Sequence, residues 1–221
     1  MPAVVLVSFE PDNEVHVKEL VRQRQIAGFG ADAVDAWREK VRRGVKSLQW
    51  VFLASPEDPT TPLPYVPAVP EEGAAPQPLF APVGHIAMDW EAAIGLPEVA
   101  SKEEGNLYFT SLYVLQSAQG RGLGNLIMTA AERLGSSPPF NAKILTLSTW
   151  DSKNFCAEAD LPNLREITDW RNAKELWYQR RGYVPFIRAA SIPYIPEVGK
   201  DGTVFTLNSV YMKKKALELD A

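Results

Sequence analysis

The chain has 221 residues, 46% of them hydrophobic and 23% charged, which suits one globular domain with a full-sized core. A formal net charge of −4 argues against a nucleic-acid protein that relies on phosphate attraction, and the single cysteine, Cys156, excludes an internal disulfide. No apolar run approaches the roughly 20 residues of a spanning helix, and no basic segment precedes an apolar one at the N-terminus, so the expectation is a cytoplasmic protein with no membrane partner and no nucleic-acid partner.

Residues 3–9 are β-branched and weakly alternating, which predicts a first strand. Pro11-Asp12-Asn13 supplies a turn and a helix cap, after which Val17, Leu20, Val21 and Ile26 keep helical spacing to about Gly28. Asp32 is placed to cap a second helix with Val34, Trp37 and Val41 as its buried stripe. Arg38, Lys40, Arg42, Arg43 and Lys46 read as a solvated helix face. Residues 48–54 form a strand. Residues 55–82 hold nine of the chain's 18 prolines. Proline removes donors and favours extended backbone, so a long inserted loop is expected there, either a lid over a cleft or a plain surface excursion.

Strands follow at 83–89 and 107–115, completing an antiparallel meander. Residues 126–134 predict a helix closed by Gly135 and Pro138-Pro139, and 143–149 a buried strand. Residues 151–169 form a second insertion. Trp170, Ala173, Trp177 and Tyr178 recur at helical spacing within 170–181, with Gly182 as a C-terminal stop. The last strand spans 204–212, and Lys213-Lys214-Lys215 ends it in solvent. The order is β, α, α, β, β, β, α, β, α, β, β, with no internal repeat.

The most informative stretch is Leu112-Tyr-Val-Leu-Gln-Ser-Ala-Gln-Gly-Arg-Gly-Leu-Gly-Asn125, where an apolar run breaks into alternating glycines before an amphipathic run. A strand, tight loop and helix in this order aim several backbone N–H groups at one spot, at the positive end of a helix dipole. The arrangement suits a pyrophosphate. No Lys-Ser or Lys-Thr follows, so a P-loop does not fit, and Asn125 stands where a dinucleotide fingerprint needs its third glycine. Gln119-Gly120-Arg121-Gly122-Leu123-Gly124 does fit Gln/Arg-x-x-Gly-x-Gly/Ala, the acyl-coenzyme A loop of the GNAT acetyltransferases. A second stretch, Asn172 to Tyr183, resembles the other GNAT signature at Tyr178, Gly182 and Tyr183, with Asn172 one residue closer to Tyr178 than usual and Lys174 in the usual alanine's place.

The resemblance covers nearly the whole chain outside the insertions at 55–82 and 151–169. It implies an α/β (α+β) protein with the GNAT fold, a mixed central sheet of six to seven strands flanked by about four helices, as a single domain over 1–221. It implies acetyl transfer from acetyl-coenzyme A, as co-substrate and without a metal, to a small-molecule or peptide amine. On this reading Gln119, Gly120, Arg121, Gly122, Leu123, Gly124 and Asn125 hold the pyrophosphate. The backbones of Leu112 and Val114 carry the pantetheine arm, Leu112 also donates to the developing oxyanion, and Asn172 completes the coenzyme-binding set. Tyr178 is the general acid. A phenol near pKa 10 returns a proton to a thiolate whose conjugate thiol lies near 8.5 at modest cost. Some relatives place a glutamate base where Tyr108 stands, so Asp151 is the first substitute, followed by Asp89 and His85, with a water chain as an alternative.

Two readings remain open beside the enzyme: a catalytically silent acyl-coenzyme A or partner-binding module, favoured by the missing glutamate and the shifted Asn172, and a nicotinamide-dependent oxidoreductase. Trp37, Trp50, Trp90, Trp150 and Tyr194 are candidates for lining an acceptor pocket. The final strand is a candidate homodimer edge.

Overall fold

The computed structural model describes residues 3–28, 30–63, 80–152, 174–190, 197–198, 204–205 and 208–218. Within them the chain runs β1 (Val4–Ser8), α1 (Glu14–Ala27), α2 (Val34–Arg42), β2 (Lys46–Ala54), β3 (Pro62–Leu63), β4 (Gly84–Asp89), β5 (Asn106–Val114), α3 (Leu123–Ser136), β6 (Ile144–Trp150), α4 (Lys174–Arg180), β7 (Val184–Ala190), β8 (Glu197–Val198), β9 (Val204–Phe205) and β10 (Asn208–Lys215). Seven strands lie in the order β1-β2-β4-β5-β6-β10-β7, and β3 adds to β2 as the eighth. Only β5 and β6 run parallel, joined by α3 as a crossover; the other pairs are antiparallel. β8 and β9 pair in a separate ribbon. Among the described residues no helix is long and apolar enough to cross a membrane.

Alternation along the strands builds two cores. Leu48, Trp50 and Phe52 of β2 pack with Phe9, Leu20 of α1 and Val34 of α2. Val51, Ile86, Met88, Leu107, Phe109, Leu145 and Leu147 pack with Leu123, Ile127, Met128 and Ala131 of α3. Each fully buried aliphatic or aromatic side chain contributes about 1.5–3 kcal/mol relative to exposure, so the sheet is fixed from both sides. Asn13 caps α1 as the sequence suggests, its Oδ1 accepting from Val15 N at 3.0 Å, and Gly28 ends the helix at φ 83°.

Several boundaries differ from expectation. The residue before α2 is Ala33, which makes no side-chain cap, so Asp32 does not serve as one. α3 starts at Leu123 rather than 126 and takes Gly124 into its first turn. Gly135 lies inside α3 rather than closing it. A Cβ there would stand 2.9 Å from Leu107 Cδ2, so glycine lets the helix sit down on β5. The last long strand is Asn208–Lys215, not 204–212, because Val204 and Phe205 pair with β8. The three lysines therefore belong to the strand, and Lys214 reaches Glu132 on α3 at 2.9 Å.

Lys46 also departs from the solvated face assigned to it. It opens β2, buried, with Nζ 2.6 Å from Asp89 Oδ2 and 4.8 Å from the centroid of the Trp37 ring. Burial pushes its ammonium down, against the pull of Asp89. Removing either partner would leave a buried charge uncompensated.

Candidate functional site

The site begins where the parallel pair comes apart. β5 pairs with β6 only from Asn106↔Ile144 to Phe109↔Leu147. Beyond Phe109, β5 continues along β4 alone, while β6 continues along β10 to Trp150. The split coincides with a bulge: the β4 register moves from His85↔Tyr113 to Ala87↔Thr110, and Ser111 is held at φ 54°. Gly84 makes this bulge possible, since a Cβ at that position would stand 2.0 Å from Tyr113 O.

A cavity of about 560 Å³ opens in the split. Leu112, Tyr113 and Val114 of β5 line one side, and Gln119, Gly120, Gly122, Leu123, Gly124 and Asn125 line the end. Lys174, Trp177, Tyr178 and Arg180 of α4 close the other side. Nine of the residues singled out from sequence thus meet on one cavity: Leu112, Val114, Gln119, Gly120, Gly122, Leu123, Gly124, Asn125 and Tyr178. Arg121 is exposed on the same loop but is not part of the lining. Asn172, Cys156 and Tyr194 lie outside the described residues.

The loop is tied back to the strand that precedes it. Gln119 Nε2 donates to Val114 O at 2.8 Å, and its backbone N–H is taken by Gln116 O at 3.1 Å. The five following N–H groups, Gly120 through Gly124, have no hydrogen-bond partner among the described residues, and no side chain caps α3. They form a concave run of donors at the positive end of a 14-residue helix. The glycines have a cause besides clearance for a ligand. Gly120 and Gly122 hold φ of 78° and 74°, a left-handed conformation that side chains resist. Gly124 is helical, and a Cβ there would meet the Trp177 ring at 3.5 Å.

α4 is pinned against α3. Trp177 Nε1 donates to Asn125 Oδ1 at 3.0 Å, and Arg181 pairs with Glu132 at 3.1 Å. Tyr178 packs on Trp177 with ring centroids 4.7 Å apart and meets Tyr183 edge-on at 5.8 Å. Its hydroxyl has no hydrogen-bond partner among the described residues. Burial outweighs the nearby Arg181 and pushes its pKa up to about 12. The phenol is therefore protonated at any ordinary pH.

None of the candidate bases is among the described residues that line this cavity. Asp151 is 3% exposed and pairs with Arg188 Nη1 at 2.5 Å, while Glu175 Oε1 takes Arg188 Nη2 at 2.6 Å. Asp89 is bound to Lys46 and accepts from Thr110 at 2.7 Å. Tyr108 bonds Ser148 Oγ at 2.5 Å. Among the aromatic candidates, Trp50 is fully buried core, Trp90 is buried, and Trp150 is 43% exposed; none of these, nor Trp37, lines the cavity.

His85 is fully buried, with Nδ1 2.8 Å from Gln23 Oε1. A neutral ring with its proton on Nδ1 suits that acceptor. Burial, then the charges of Arg24 and Lys46, push the pKa down to about 3. The folded value lies below the unfolded 6.5, so this stabilisation is complete above pH 6.5 and is lost as pH falls toward 3. The full span is on the order of 5 kcal/mol. We expect His85→Asn to lose less stability than the parent between pH 7 and pH 4 in urea titrations. Equal losses would show that His85 does not carry the acid sensitivity.

No protein-family model matches the chain, and no curated protein matches it by sequence. Solved structures do. An aminoglycoside 6'-N-acetyltransferase from Enterococcus faecium superposes with a TM-score of 0.57 at 13% identity, over 98% of this chain and 99% of that one. The chain has the fold of the GNAT acetyltransferases. A Desulfovibrio desulfuricans protein assigned to the GNAT family gives a TM-score of 0.51 at 12% identity, over 97% and 100% of the two chains. Spermidine N-acetyltransferase from Vibrio cholerae gives 0.54 at 9%, over 96% and 94%. Eight strands in the main sheet, one more than the expected upper count, are accommodated in this GNAT fold because β3 adds only two residues to β2.

Sequence reading missed Tyr113, Trp177, Lys174 and Arg180 as parts of the lining. It also missed Gly84. An isolated glycine at the start of a strand signals close backbone approach, and that signal was available.

Proposed function

We propose that the protein is an N-acetyltransferase that moves the acetyl group of acetyl-coenzyme A to a primary amine by direct attack in a ternary complex. The observation that carries this reading is the run of five N–H groups from Gly120 to Gly124, unpartnered among the described residues, four of whose residues share one cavity with a protonated tyrosine. Its support from outside is that similarly folded proteins are N-acetyltransferases of an aminoglycoside and of spermidine, one of them solved with coenzyme A.

Acetyl-coenzyme A would supply an activated thioester. The amides of Gly120 to Gly124 bind its diphosphate, with the dipole of α3 adding to them. The freed edge of β5 at Leu112 and Val114 binds the pantetheine arm and orients the carbonyl, with a backbone N–H at Leu112 as oxyanion donor. Tyr178 faces a steeper task than an ordinary phenol. A complete transfer to a thiolate whose thiol lies near 8.5 runs uphill by about 5 kcal/mol. Tyr178 therefore acts as a hydrogen-bond donor to the departing sulfur, and solvent completes the protonation. Asp151 and Asp89 are each held in an ion pair and His85 resists protonation, so the amine's proton leaves through water.

The second reading, a silent binding module, is favoured by one observation: no carboxylate or imidazole lines the cavity among the described residues. Thiol release on mixing the protein with acetyl-coenzyme A and a panel of aminoglycosides, polyamines, amino acids and peptides separates the two. Release that depends on an amine is expected. Tight coenzyme binding with no release for any amine would replace the enzyme by the module.

A further inference from the structure

Beside the amide run lies a cationic feature that a diphosphate there would leave unused. Lys174 and Arg180 line the cavity, with no carboxylate among its described lining. A second cavity of about 480 Å³ shares Asn125, Trp177 and Arg180 with the first and adds Arg181 and Lys214. Its carboxylate, Glu132, is already taken by Arg181 at 3.1 Å and Lys214 at 2.9 Å. The neighbouring charges on this wall are matched, since Glu175 holds Arg188 and Glu132 holds Arg181. Lys174 and Arg180 alone among these have no ion-pair or hydrogen-bond partner among the described residues. In a chain of net charge −4, two unmatched cations facing one cavity mark where an anion is wanted.

Coenzyme A carries three phosphates. The amide run accounts for the two of its diphosphate. The third is a monoester on the ribose 3′ oxygen, with a charge of about −1.5 to −2 at neutral pH. We propose that Arg180, assisted by Lys174, takes the 3′-phosphate and makes the protein selective for coenzyme A over 3′-dephospho-coenzyme A. This inference rests on the coenzyme-binding reading above. A guanidinium suits a phosphate through two parallel N–H donors, and an ammonium adds a point charge. Both side chains are exposed, so each pair contributes only a few-fold in affinity and weakens with salt.

Calorimetric titration of the whole protein with each of the two compounds tests the proposal. At about 50 mM salt the parent should bind coenzyme A roughly tenfold more tightly than the dephospho compound, and the gap should shrink to about twofold near 0.5 M. The Lys174→Ala/Arg180→Ala double variant should lose the preference while keeping its affinity for the dephospho compound. A melting temperature close to the parent's verifies that the variant is folded. Equal binding of both compounds by the parent, or an undiminished preference in the double variant, overturns this inference and leaves the proposed function standing. Failure of the parent to bind either compound overturns the proposed function and this inference with it.

Discussion

Replacing Tyr178 with phenylalanine lowers turnover about a hundredfold and leaves coenzyme A affinity within about twofold, because a positioned proton or hydrogen-bond donor at a leaving group contributes roughly 10²–10⁴ in rate. The ring makes the packing contacts with Trp177 and Tyr183, and phenylalanine keeps them. Only the hydroxyl goes, and it has no hydrogen-bond partner among the described residues to leave unsatisfied. The loss should therefore fall on kcat, with KM for the coenzyme nearly constant. A burst of bound product without turnover would place the defect in release. Full activity in the phenylalanine variant would remove Tyr178 from the chemistry altogether.

Gly122→Val should weaken coenzyme A binding by at least about a hundredfold. At φ 74° a β-branched residue costs about 1–3 kcal/mol, so the loop either stores that strain or relaxes to a negative φ. Relaxation swings the N–H groups on either side of residue 122 out of the shared concavity and takes donors from the diphosphate. Among the described residues, apart from its chain neighbours, no heavy atom lies within 4 Å of where a Cβ at residue 122 would sit, so the substitution does not collide with the described core. The expected result is a folded protein, melting a few degrees lower, that has lost its ligand. Unchanged affinity by titration calorimetry would show that the amides of this loop do not hold the coenzyme. Gly122→Ala, with a smaller side chain in the same conformation, should show an intermediate loss.

Most of the architecture was legible because alternation and helical spacing are local signals. The strand at residues 48–54 and the helix after Asn13 lie close to where the apolar pattern puts them. The glycine loop was legible for the same reason, since spacing within six residues carries it. Features that depend on register were not. The bulge at Ser111 and the parting of β5 from β6 are set by which residues face each other across strands, and the sequence of one strand does not state its neighbour's register. Lys46 read as solvated because its partner, Asp89, lies 43 residues away. The start of α3 was misplaced because Gly124 is a poor helix former, yet the turn is held there by packing at Leu123 and by the bond from Trp177 to Asn125. Lys174 and Arg180 gave no signal of their own, because exposed cations on a helix look alike until a cavity is seen beside them.

The missing side chain at residue 84 reaches further than its own strand. Gly84 is not part of the described cavity lining, yet the 2.0 Å left for a methyl group against Tyr113 O means that even alanine would push the bulged end of β5 away. Tyr113 sits between Leu112 and Val114, whose backbones are the proposed rail for the coenzyme. An exchange of glycine for alanine, often made in pursuit of heat resistance, would here tilt that rail from behind. A protein engineer screening this chain for sturdier variants should therefore find residue 84 intolerant, with the damage felt at the thioester and not at the site of the change.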